Sequence, residues 1–228
     1  MKAIIYSFIL LLLVSCGQGN ERKLNEPQVK NHIGTTKERL VKSMIPKDYA
    51  KLTESPANGR EIKRLTLDLD KDNQADTALI ANYNDDFRHC ILIVYLSSQD
   101  KSYQLKLVNE APQHSFPVQL TSKNNVLEVG YFSDFSTGRY LSLKYEGKTK
   151  KLRLIGCKMG YSISLADHCD KSYNLISGDY TIQLQKSLPQ KHVETFTGNV
   201  KSGPIYMSDF NLSVLKKLDQ VGSKYELD

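Results

Sequence analysis

Alternation of apolar and polar residues dominates the middle of the chain. Leu65, Leu67 and Leu69 alternate with polar neighbours, and Tyr180, Ile182 and Leu184 alternate with Thr181, Gln183 and Gln185. Each pattern predicts a half-buried strand. The run from His89 to Leu96 is continuously apolar after its first residue, as in a strand buried on both faces. Thr77 to Tyr83 precedes it, with Asn84-Asp85-Asp86 as the turn between them. Further strands are predicted over Tyr103 to Val108, Leu127 to Tyr131, Tyr140 to Tyr145 and Lys151 to Gly156. Asn124-Asn125 and Glu146-Gly147-Lys148 supply turn chemistry between them. Tyr49 to Leu52 reads as a short extended piece before a turn at 56–59.

Helical spacing appears at both ends. Val29, Ile33, Leu40, Val41, Met44 and Ile45 recur at that spacing, which predicts a helix over Thr36 to Met44 with Pro46 as its stop. Near the other end, residues 205–218 place Phe210, Val214, Leu215 and Leu218 on one helical face, with Ser208 or Asp209 as the cap. The expected fold is mainly β, of the α+β kind: a single antiparallel meander or sandwich-like domain over 29–228, with a short N-terminal helix and a C-terminal helix. A multi-bladed propeller is not expected, because the one conspicuous acidic loop does not repeat.

Ahead of this domain, Lys2 is followed by an apolar run from Ala3 to Val14, broken only by Tyr6 and Ser7. That is a signal-peptide pattern, too short for a comfortable membrane span. Its end, Leu13-Val14-Ser15-Cys16, resembles the bacterial lipobox. The resemblance implies removal of residues 1–15 and acylation of Cys16 by diacylglycerol and a third chain such as palmitate. The alternative is an ordinary secretory signal with a chance cysteine. In bacterial lipoproteins the lack of Asp after the acylated cysteine, here Gly17, implies export beyond the inner membrane. The expected location is the cell envelope, at the outer membrane. Residues 16–28 are polar and aperiodic, which predicts a flexible tether.

The formal charge of +6 is mild and falls by one when Lys2 leaves. Basic residues are scattered without a nucleic-acid motif, so a solvated lysine-rich surface, or one meeting anionic lipid or acidic glycan, fits better than a nucleic-acid partner. With Cys16 assigned to lipid, Cys90, Cys157 and Cys169 remain. Cys157 and Cys169 flank a segment containing Gly and Ser, so a disulfide between them is expected, worth about 2 to 4 kcal/mol. Cys90 reads as a buried thiol.

The candidate chemistry starts at Asp68 to Asp76, DLDKDNQAD. Asp68, Asp70, Asp72 and Asp76 occupy positions 1, 3, 5 and 9 of a loop between two predicted strands. A turn that folds alternate side chains inward would gather their oxygens on one hard cation such as Ca2+. It is not an EF-hand, because position 12 is Leu79 and the flanks have strand character. The loop resembles that of the integrin-type FG-GAP and related β repeats, which implies a Ca2+ ion stiffening a hairpin, in a structural role. Asn73 stands where that family commonly has Gly, and Asn tolerates a left-handed backbone. The alternative is a solvated acidic turn.

A second resemblance covers most of residues 44–186. Met44-Ile45-Pro46-Lys47-Asp48-Tyr49, the acidic loop, Lys151-Leu152-Arg153-Leu154-Ile155-Gly156 and Ser172-Tyr173-Asn174-Leu175-Ile176-Ser177-Gly178 look like a group of bacterial envelope lipoproteins of uncharacterised activity. It implies one β domain and transfers no catalytic residue. Cys157, where that group has an aromatic, suggests a disulfide-bearing loop particular to this chain.

None of the five histidines sits in a metalloprotease motif, and no nucleophile elbow or phosphate loop occurs. His168 beside Asp167 is the one provocative pair. Thirteen tyrosines without a tryptophan give the other signal, densest at Tyr131, Phe132, Phe135, Tyr140 and Tyr145. Tyr131, Phe135 and Tyr140 are candidates for a ligand platform, since Tyr offers an apolar body with a polar tip, while alternation also allows half of these rings to be core. Two functional expectations result. One is a membrane-anchored, non-catalytic envelope module that binds a protein or a glycan; the other is a hydrolase of envelope polymers using Asp134, Asp167 and His168.

Overall fold

The structure, a computed structural model, describes residues 43–84, 86–108, 116–132, 137–187 and 191–225. The signal segment, Cys16, the tether and all of the predicted N-terminal helix before Ser43 lie outside them, as do Asp134 and Phe135. The protein is mainly β, built from antiparallel sheets with one C-terminal helix, as expected.

The smaller sheet contains β1 (Tyr49–Lys51), β2 (Leu65–Leu67), β3 (Asp76–Tyr83), β4 (Asp86–Leu96) and β5 (Lys101–Lys106). Its order is β1-β3-β4-β5, with β2 also paired to β3. The continuous apolar run in β4 has its reason here. Leu92, Val94 and Leu96 face the main core, while Ile91 and Ile93 pack with Leu79, Ala81 and Met44 on the opposite face.

The larger sheet is a seven-strand meander: β6 (Phe116–Lys123), β7 (Val126–Phe132), β8 (Thr137–Glu146), β9 (Lys151–Ser162), β10 (His168–Asn174), β11 (Asp179–Lys186) and β12 (His192–Asn199). A short β13 (Ile205–Tyr206) pairs with β9 beyond the end of β10. Asn124 and Asn125, at φ 52° and 60°, make the tight β6–β7 turn, as their side chains allow. In β9 the register shifts opposite Ser142 and Leu143, so inward residues change from Leu152 and Leu154 to Cys157 and Met159. That bulge lengthens β9 past the predicted end at Gly156 and carries it into a hairpin with β10.

The hairpin overturns the expected disulfide. Cys157 lies opposite Tyr173, and Cys169 lies opposite Tyr161. The two cysteines are therefore offset by four residues along the strands, about 13 Å at the usual rise, whereas a disulfide needs Cα atoms closer than about 7 Å. Both are buried thiols on the inner face.

The C-terminal helix α1 (Leu212–Asp219) begins later than its periodicity predicts. Its cap is neither Ser208 nor Asp209 but Asn211, whose Oδ1 accepts the Val214 N–H at 3.1 Å. Leu215 and Leu218 are buried against the larger sheet, each worth about 1.5 to 3 kcal/mol. A charged lock closes its end. Arg139 on β8, 5% exposed, donates to Asp219 Oδ1 at 2.5 Å, and Lys171 on β10 donates to the Asp219 carbonyl at 2.9 Å. These two cations point inward because α1 brings them oxygen acceptors.

Candidate functional site

The acidic loop joins β2 to β3, which are hydrogen-bonded neighbours with Leu67 opposite Asp76. Lys71 and Asn73 both take left-handed conformations, φ 65° and 67°, and fold the loop back on itself. Asp68 then accepts the backbone N–H groups of Asp72 and Asn73, both at 3.1 Å. Asp76 is completely buried and takes three donors: Leu69 N at 2.8 Å on one oxygen, Ser97 N at 2.9 Å and Ser97 Oγ at 3.1 Å on the other. Ser98 donates its hydroxyl to Asp70, and Asn125 donates to the Asp68 carbonyl. The loop is thereby bound to the end of β4 and to the β6–β7 turn, rather than standing in solvent.

Three of the four predicted ligands come together. Oxygens of Asp68, Asp70 and Asp76 lie within 4.8 Å of one another. Asp72 is outside that group, because its Oδ1 caps the Gln74 N–H at 2.8 Å. Asp70 Oδ1 and Asp72 Oδ2 are both buried without a hydrogen-bond partner among the described residues. Burial raises the Asp76 carboxyl above its ordinary value; the Ser97 and Leu69 N–H groups oppose this, and the charge of Asp70 adds to it. Acidic oxygens are thus crowded at the point where the two sheets meet.

A second candidate lies on the outer face of the larger sheet, as an open groove of about 500 Å³ across β7 to β11. Register explains its shape. Gly138 on β8 and Gly160 on β9 are direct cross-strand partners, so two neighbouring strands present no side chain at the same level. Phe132 lies on one side of that gap and Asp170 on the other, followed by Gln183 on β11. One level along are Tyr140, Lys158, Ser172 and Thr181. The glycines are occupied from above. A Cβ on Gly138 would meet the Phe132 ring at 2.9 Å, one on Gly160 the Asp170 carboxylate at 2.8 Å, and one on Gly130 the Tyr140 ring at 2.6 Å.

Of the two described members of the predicted platform, Tyr131 and Tyr140, only Tyr140 lines this groove. Tyr131 is a core residue: it is fully buried, its hydroxyl donates to the Val108 carbonyl at 3.1 Å, and burial raises its pKa. Alternation along β7 turns Tyr131 inward and Phe132 outward. His168 and Asp167, the provocative neighbour pair, point apart, as adjacent residues on an extended chain do. Asp167 Oδ1 accepts the Ser187 N–H at 3.0 Å, whereas His168 Nε2 meets Asp170 Oδ1 at 3.3 Å, two residues on and on the same face. Asp170 Oδ2 accepts from Gln185 Nε2 at 3.1 Å. Sequence reasoning counted Phe132 in the aromatic cluster without making it a ligand candidate, and passed over Asp170 and Gln183. Their signal was the polar half of each alternating strand, together with glycines at 130, 138 and 160 inside strands, where Gly marks a close approach.

No protein-family model, curated protein or solved structure matches the chain.

Proposed function

We propose that this protein is a lipid-anchored bacterial envelope lipoprotein whose β domain is a non-catalytic binding module. The observation that carries the binding role is the outer-face groove, an open concavity on a rigid paired sheet, lined by half-buried rings and converging polar side chains. The anchor rests on the signal pattern ending at Cys16, whose acyl chains would hold residues 16–28 and the domain at the outer membrane. Envelope glycan or protein are the partner classes, and the scattered basic residues offer nucleic acid no patch.

The acidic loop serves this module as a structural cation site. Among the described residues its donors are oxygen only, three of the carboxylates converge, and two buried oxygens lack partners, which fits Ca2+ better than any softer metal. When bound, the ion would supply the positive charge that three or four adjacent carboxylates lack. Asp68, Asp70 and Asp76 would hold it, with Asp72 at the rim.

Labelling cells with a palmitate analogue tests the anchor. The full-length chain is expected to take up label and to accumulate as precursor under globomycin, and Cys16→Ser to lose the label. A processed but unlabelled chain would overturn the proposal. The His168–Asp170 pair inside the groove favours a second reading, a hydrolase of envelope polymers. Release of reducing ends from isolated envelope material, abolished by His168→Ala, would establish that reading over the binder.

A further inference from the structure

We infer that the outer-face groove takes a short run of pyranose rings from an electrically neutral stretch of glycan; this rests on the binding-module reading above and names its ligand class. The argument begins with what the groove withholds. Its floor is made by β8, β9 and β10, and each of these strands is hydrogen-bonded to neighbours on both sides. No backbone donor or acceptor faces the groove in register, so an extended peptide cannot add to the sheet there as it would at an edge. Recognition must come from side chains and ring faces alone.

Those side chains are of two kinds. Phe132 and Tyr140 sit above glycines, held from beneath by the backbone and half-exposed above. They offer apolar surface to a ligand with an apolar face of its own. Across the glycine gap stand Asp170, Gln183, Ser172 and Thr181, whose carboxylate, amide and hydroxyl groups match a ligand rich in hydroxyls. Asp170 is already oriented by His168 and Gln185, so its remaining lone pairs point from a fixed carboxylate. A sugar ring combines one apolar face with a rim of hydroxyls, and this wall-against-wall arrangement suits that combination.

Charge and size narrow the class. Among the described residues that line the groove, Lys158 is the one exposed lysine or arginine, since Lys171 sends its ammonium inward to Asp219, and Asp170 lies on the same face with His168 against it. One lysine balanced by one carboxylate does not build the positive potential that a polyanion needs. From Tyr140 on β8 to Thr181 on β11 is three strand steps, about 14 Å at the usual spacing, so the groove is longer than a single sugar.

The test uses the full-length chain in detergent micelles on an array of neutral and anionic oligosaccharides, with chitobiose and β-glucan fragments among the probes. The best probe is then followed by calorimetry. The expected result is retention of at least one neutral pyranose oligosaccharide. Tyr140→Ala should bind it about tenfold more weakly, because truncation removes a stacking ring, and Gln183→Ala severalfold more weakly. Lys216→Ala, on the exposed side of α1, should bind as the parent does. Gln183 is exposed, so its variant should keep the parental melting temperature and remain informative if Tyr140→Ala does not fold. No retained saccharide, retention of anionic probes only, or affinity unchanged by both groove variants would overturn the inference. Capture of a peptide sensitive to the same variants would also overturn it, while leaving the binding module standing, and acylation of Cys16 reports on the anchor independently of either result.

Discussion

Exchanging Asp70 for Asn should reverse its effect on stability according to whether calcium is present. The substitution keeps the side chain's size and an oxygen able to accept the Ser98 hydroxyl, but removes one of the carboxylates crowded within 4.8 Å. Without calcium this relieves repulsion of at least about 1 kcal/mol, the size of a unit-charge pair at this range in bulk water. For a chain of this length that is about 2 to 4 °C upward in melting temperature. With calcium at a hundred times its dissociation constant, the parent should gain about 2.7 kcal/mol and Asp70→Asn much less. The parent's gain corresponds to about 5 to 11 °C. Thermal melts of both full-length proteins in EGTA and in calcium are the assay. The pH dependence carries the same sign. Because Asp76 is raised in the fold, its protonated form contributes stability that is complete below the ordinary carboxylate value. In EGTA that contribution is lost as pH rises through the raised value. The loss should be smaller and complete at lower pH in Asp70→Asn, since the Asp70 charge is one of the causes of the shift. Equal calcium shifts in the two proteins, or an Asp70→Asn protein less stable than the parent in EGTA, would refute the crowded-carboxylate account.

Two further outcomes concern the frame that holds these sites. Asp219→Ala should cost about 3 to 5 kcal/mol in urea unfolding, because it leaves the buried Arg139 guanidinium without its carboxylate; a cost under about 1 kcal/mol would mean that the lock is not set as described. Unreduced protein denatured in guanidinium should titrate Cys90, Cys157 and Cys169 as three thiols. In the native state Cys90 and Cys157 should resist alkylation near neutral pH, since burial pushes both up to about 12. Loss of two titratable thiols would restore the disulfide.

How much of this was legible in the chain depends on the range of the physics involved. Period-two alternation at Leu65 to Leu69 and at Tyr180 to Leu184, the apolar β4, the Asn124-Asn125 turn and the hairpin position of the acidic loop are all set by neighbours within a few residues. Each could therefore be read locally. Asn73 took the left-handed backbone that its side chain permits. Strands β10 and β12 could not be read this way. HCDKSYN carries an inward lysine whose acceptor is a carbonyl 48 residues later, and HVETFTGN is a polar edge strand with little apolar face to display.

The chain by itself determined an antiparallel β body with inward-folding aspartates, because backbone sterics and alternation act over a turn or a strand. Register decided the rest. It set Cys157 four residues out of reach of Cys169, put Gly138 opposite Gly160 to open the groove, turned Tyr131 inward and Phe132 outward, and gave His168 to Asp170. Pairing between distant strands is fixed by the sum of core packing across both sheets, and a one-residue slip sends every side chain to the other face. No window along the sequence contains that sum.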